Sequence, residues 1–198
     1  MNLKQANVFF ASLGDELKTP LVIALTGGMA ASLLADPRTT DDIDFAVLKA
    51  AKAQKDWEAV LQKLASRHGV VLQYSEDIDR WSSVSYLDWQ KHSRPWKKFE
   101  NLEVRILEPL YWSIEKIARA TQRDILDLEA VLKAQKIPWQ KLVTLWARSL
   151  RNSPASTSLF NARKQMEGFL KESGGKIWGK SFELEAALKK FHLALESH

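Results

Sequence analysis

The residues best suited to chemistry lie in one segment, TGGMAASLLADPRTTDDIDFAV, running from Thr26 to Val47. Gly27 and Gly28 sit between a short apolar run, LVIAL (21–25), and a short helical one, MAASLLA (29–35). Glycines at such a strand-to-helix turn let an anion approach the backbone, and the free N–H groups of the helix start point at it. Thirteen residues separate Gly28 from Asp42, and Asp44 follows two further on. On a strand the period of two puts both carboxylates on one face and turns Ile43, Phe45 and Val47 to the core. Two carboxylates beside an anion cradle suit a hard divalent cation, Mg²⁺ or Mn²⁺, which takes oxygen ligands and shares them with phosphates. The plainer alternative is a solvated acidic strand after a glycine turn, at the cost of like-charge repulsion.

Other chemistries find little support. The glycines do not form G-x-G-x-x-G, and no lysine and hydroxyl follow them as in a Walker loop. The chain has no cysteine, which removes disulfides, thiolate zinc sites and cysteine nucleophiles together. The histidines at 68, 92, 192 and 198 lack ligand spacing, and no serine sits in a G-x-S-x-G elbow.

The elements that must hold the acidic pair follow from periodicity. Helices are predicted over 5–17, 29–35 and 52–67, and strands over 21–25, 43–47, 70–74, 82–89 and 102–107. Residues 91–101, with Pro95, read as a polar loop; its RPWKKF stretch interleaves cations and aromatics, as a nucleic-acid grip would. After Pro109 only helical periodicity remains, over 110–135, 139–151, 158–171 and 181–196. The expected division is a sheet domain over 1–108 and a helical lobe over 109–198, a mixed α/β class.

Gly-Gly, the thirteen-residue gap and Asp-Ile-Asp-Phe resemble the signature of the minimal nucleotidyltransferases of the polymerase-β superfamily. With Arg38-Thr39-Thr40 ahead of the pair, the segment resembles the abortive-infection type toxin nucleotidyltransferases and their uncharacterised relatives. EKIARATQRDILDL (115–128) continues the likeness, with Lys116, Arg123, Asp124 and Asp127 at the matching positions. The resemblance covers about residues 20–135 and is specific in these two segments. It implies a nucleotidyltransferase fold, a small mixed sheet flanked by helices and followed by a helical lobe. It implies a Mg²⁺-bound nucleoside triphosphate as substrate, an RNA (tRNA) or protein acceptor, and a toxin paired with an antitoxin. On that footing Gly27, Gly28, Arg38, Thr40 and Lys116 contact the nucleotide, and Asp42 and Asp44 are metal-binding and catalytic. Active relatives carry a third carboxylate on a neighbouring strand. Glu103 is the candidate here, because Leu102, Val104 and Ile106 take the core face, and Asp88 is the runner-up. Lys116 reads equally as a snorkelling surface lysine, Arg38 as a partner of Asp42, and Asp124 and Asp127 as structural residues that pair with Arg123 and Arg119 or cap a helix restart at Gln122–Arg123. Without a third carboxylate, the fold would serve as a nucleotide- or nucleic-acid-binding module with no turnover.

The 198 residues are 45% apolar and 27% charged, an ordinary globular balance that argues against disorder. The net charge of +5 is uneven: residues 1–88 carry 9 Lys/Arg against 12 Asp/Glu, and residues 133–198 carry 12 against 5. A basic lobe attracts polyanions, though a solvated lysine-rich surface has the same composition. No secretory leader or membrane span is predicted, since the nonpolar stretch from Pro20 to Ala35 is short and broken by Thr26 and two glycines. The cytoplasm is therefore the expected compartment.

Overall fold

A computed structural model of the chain describes residues 1–35, 39–50 and 56–197. The chain is mixed α/β and divides into two compact units, Met1–Asp77 with Gln90–Glu108, and Ile78–Trp89 with Pro109–His198.

The first unit contains α1 (Leu3–Glu16), β1 (Leu21–Leu25), α2 (Gly27–Leu34), β2 (Asp42–Ala50), α3 (Asp56–His68), β3 (Val71–Ser75), β4 (Ser93–Phe99) and β5 (Leu102–Leu107). The strands form one sheet in the order β3-β2-β1-β5-β4. β1 runs antiparallel to β2 and parallel to β5, β3 is parallel to β2, and β4 is antiparallel to β5. Alternation decides the faces. Leu21, Ile23 and Leu25, Ile43 and Phe45, and Leu102, Val104 and Ile106 are all buried, as predicted from the pattern. The hydrophobic faces of α1 (Phe9, Phe10, Leu13) and α3 (Trp57, Leu61, Leu64) complete this core, and each large side chain removed from water contributes about 1.5–3 kcal/mol. Gly14 is a poor helix former, yet a Cβ there would stand 2.2 Å from the Phe99 carbonyl oxygen. It lets α1 lie directly on the end of β4.

Two strand expectations exchange places. Residues 82–89 form no strand. Their amides are taken by side chains: Val84 donates to Ser82 Oγ, Tyr86 to Asp79 Oδ1, Leu87 to Ser85 Oγ and Ser85 to Ser153 Oγ. Such local bonds replace a ladder. Residues 93–99, expected as loop, are β4. As an edge strand it accommodates Pro95 beside a register shift, and its Arg94, Lys97 and Lys98 keep the edge soluble.

The second unit is helical: α4 (Pro109–Arg119), α5 (Gln122–Ala134), α6 (Trp139–Arg151), α7 (Thr157–Trp178) and α8 (Leu184–Glu196). Trp112, Trp146, Leu128, Met166 and Phe191 lie in its core, and Trp146 Nε1 donates to Ser113 Oγ at 2.9 Å. The predicted helix over 110–135 is two helices. Ala120 takes φ 47°, and Thr121 and Asp124 form a capping box that restarts the chain as α5. α7 runs past 171 to Trp178, and the absence of a Cβ at Gly174 makes room for the Phe182 ring. Among the described residues, no helix is long and apolar enough to cross a membrane.

Candidate functional site

Because β1 and β2 are antiparallel, the start of β2 lies beside the turn that ends β1. There Thr26 N–H donates to the Asp44 carbonyl at 2.9 Å. Gly27 has φ +56°, and a Cβ on it would meet Asp44 Oδ2 at 1.8 Å. Only glycine fits, for both its backbone angle and its space. The cradle expected to admit a phosphate therefore seats the chain's own Asp44 carboxylate. Gly28 is buried, and its carbonyl accepts from Ser32 Oγ at 3.2 Å, so Ser32 serves the helix.

Asp42, two residues earlier, is half-buried on the same face as Asp44. Its two oxygens have separate donors, Thr40 Oγ1 to Oδ1 at 3.2 Å and Gln73 Nε2 to Oδ2 at 3.3 Å. Thr40, expected on the nucleotide, is 3% exposed and braces this carboxylate instead. Its backbone N–H donates to the Met1 carbonyl at 3.0 Å, anchoring the approach to β2 on the start of α1. Arg38 lies outside the described residues. A cavity of about 310 Å³ is lined by Lys4, Gln5, Val8, Asp41, His68 and Val70 among others, and neither Asp42 nor Asp44 lines it.

Glu103 does not join the pair. It lies on the same face, but its register partner is Val22, whereas Asp44 lies level with Thr26. Four residues of strand, on the order of 13 Å, separate the two levels, with β1 between the strands. Glu103 instead accepts from Arg105 Nη1 at 2.7 Å, and Arg105 also donates to Ser93 Oγ at 2.9 Å. Asp88 accepts from the Tyr111 hydroxyl at 3.3 Å in the helical unit. Among the described residues, no three His, Cys, Asp or Glu side chains converge as a metal cluster. The position beside Asp44 on the neighbouring strand belongs to Gln73, an amide. Gln73 belongs to no motif in the sequence, and only the β2–β3 register brings it beside Asp44. Its alternation with Leu72 and Tyr74 in VVLQY was the available signal.

Lys116 is neither an exposed phosphate ligand nor a surface lysine. It is 3% exposed and donates to Asp124 at 2.9 Å and Asp127 at 3.0 Å, locking the corner between α4 and α5. Arg119 bridges Asp124 at 2.9 Å and Glu115 at 3.3 Å. Burial pushes the Asp124 carboxyl up, but hydrogen bonds from Arg119, Lys116 and Thr121 outweigh it and hold the group at about 2. The structural reading of Asp124 thus has a geometry: it pairs with Arg119 and caps α5. In β4, Trp96 packs edge-on to Phe10 at 6.1 Å and Lys97 lies over Phe99 at 4.9 Å, so the RPWKKF aromatics anchor the strand to α1.

No protein-family model matches the chain, and neither does any curated protein. Function rests on the site's chemistry.

Proposed function

We propose that the chain is a Mg²⁺- or Mn²⁺-dependent nucleotidyltransferase that moves a nucleotide from a nucleoside triphosphate to an RNA or protein acceptor. The observation that carries this reading is the pair Asp42 and Asp44, on one face at the start of β2, with Asp44 seated on the Gly27 turn. The donor set fits a hard cation: two carboxylates on one face, with lone pairs remaining on Asp42 beyond the single bonds its oxygens take from Thr40 and Gln73. A bound cation would supply charge neutralisation at the triphosphate. The chain's own part is to orient the ligating oxygens, because positioning and electrostatics carry most of this class of reaction. The reading extends to a cytoplasmic toxin held by an antitoxin. Incubation with α-labelled triphosphates and tRNA or total protein tests it: label on an acceptor with Mg²⁺, and none with Asp42→Asn, is the expected result.

A second reading is a nucleotide-binding module of the same fold without turnover. The position of Glu103 favours it, since the pair has no third carboxylate beside it among the described residues. Metal-dependent triphosphate binding with no label transferred to any acceptor would select this reading.

A further inference from the structure

The Asp42 carboxylate is braced from two sides by neutral groups, and one of these comes from a different strand. β2 and β3 are parallel, with Asp42 beside Val71 and Asp44 beside Gln73. The period of two puts Gln73 on the face that carries both aspartates. From there its Nε2 reaches diagonally to Asp42 Oδ2 at 3.3 Å, while the buried Thr40 hydroxyl holds Oδ1 at 3.2 Å. A carboxylate offers about four lone-pair sites, so two directions remain for a ligand, and the two donors fix which two they are. Gln73 is itself exposed, on the short edge strand β3, and packs no core. Its amide is better explained by what it does for Asp42 than by the stability of the fold.

We infer that Gln73 is the positioning residue of Asp42, and that its neutral amide, standing where a third carboxylate would join the pair, sets this face for a single divalent cation. The inference rests on the metal reading of Asp42 and Asp44 and deepens it. Hydrogen bonds that orient metal-ligating groups typically change metal affinity by about 10–100-fold when removed. A glutamate at 73 would add a formal charge beside the pair, and ligand charge count is a main determinant of divalent-cation affinity. The two substitutions therefore act in opposite directions on the metal, which a residue needed only for the fold would not do.

Mn²⁺ alone is the probe, counted by the electron paramagnetic resonance of the free ion over the full-length protein. Mg²⁺–triphosphate binding is measured separately, and thermal unfolding checks that each variant is folded. The expected result is one Mn²⁺ per chain, lost in Asp42→Asn, weakened about tenfold in Gln73→Ala and tightened in Gln73→Glu. Unchanged affinity in both Gln73 variants, a shift of both in the same direction, two Asp42-dependent ions in the wild type, or none would overturn the inference. The nucleotide reading fails separately. Mn²⁺ bound in the expected pattern with no triphosphate binding removes that reading and leaves the role of Gln73. Metal-dependent triphosphate binding with unresponsive Gln73 variants does the reverse.

Discussion

A methyl group added at Gly27 would lie 1.8 Å from Asp44 Oδ2, on a backbone at φ +56° that disfavours any side chain. Gly27→Ala is therefore expected to destabilise the first unit by about 1–3 kcal/mol, and to displace the Asp44 carboxylate. Urea unfolding measures the first effect; loss of Mn²⁺ binding in the protein that remains folded measures the second. Wild-type stability in Gly27→Ala would mean that the turn relaxes without cost. At this scale the sequence showed the acidic pair, its shared face and the glycine turn, because all three are local. It did not show that the glycine makes room for Asp44, since that contact joins β2 to the start of α2 across the sheet. Nor did it place Glu103. Alternation reports which face of a strand a residue occupies, and Glu103 is on the anticipated face. Its position along the sheet depends on the register of β1 with β5, which pairs it with Val22 rather than with the turn.

The corner between α4 and α5 holds three nearly buried salt-bridge partners, Lys116, Asp124 and Asp127, with Arg119 at its rim. Lys116→Met leaves two buried carboxylates without their shared cation and should cost about 3–5 kcal/mol. Adding Asp124→Asn and Asp127→Asn to Lys116→Met should recover part of that loss; no recovery would show that packing, not charge, holds the corner. Asp124 also makes a pH prediction. Its folded value, about 2, lies below its ordinary 3.8, so its contribution is complete above about pH 4. It is lost as pH falls from there toward 2, a difference of about 2 kcal/mol. Asp124→Asn should be less stable than wild type at neutral pH and converge on it near pH 2. Parallel stability curves would contradict this. Of the elements themselves, the buried strands and the helices after Pro109 were legible from periodicity. The exchange between 82–89 and 93–99 was not, because part of what keeps 82–89 out of a ladder is distant in sequence: Ser153 Oγ takes the Ser85 amide. The break at Ala120 had a local signal in Thr121-Gln122-Arg123-Asp124, a capping pattern inside an otherwise continuous helical period.

Across the whole molecule, charge separates along the chain. Residues 133–198 hold 12 Lys/Arg against 5 Asp/Glu, and Lys164, Lys171, Lys189 and Lys190 are exposed. If the acceptor is RNA, each phosphate neutralised should add about 0.7–0.9 to the slope of log affinity against log salt. Binding of tRNA should then weaken steeply from low to moderate salt and survive Asp42→Asn, because the cations and the acidic pair act separately. Salt-insensitive or absent binding would direct the search to a protein acceptor. The central claim, that Asp42 and Asp44 hold a metal-bound triphosphate, is tested most directly by calorimetry of the intact protein with each of the four nucleoside triphosphates. The titrations are run in Mg²⁺ and in excess chelator, for wild type and Asp42→Asn. The account predicts binding of at least one triphosphate that weakens about tenfold or more on removing either the metal or the carboxylate; equal affinity in all conditions, or no binding in any, would contradict it.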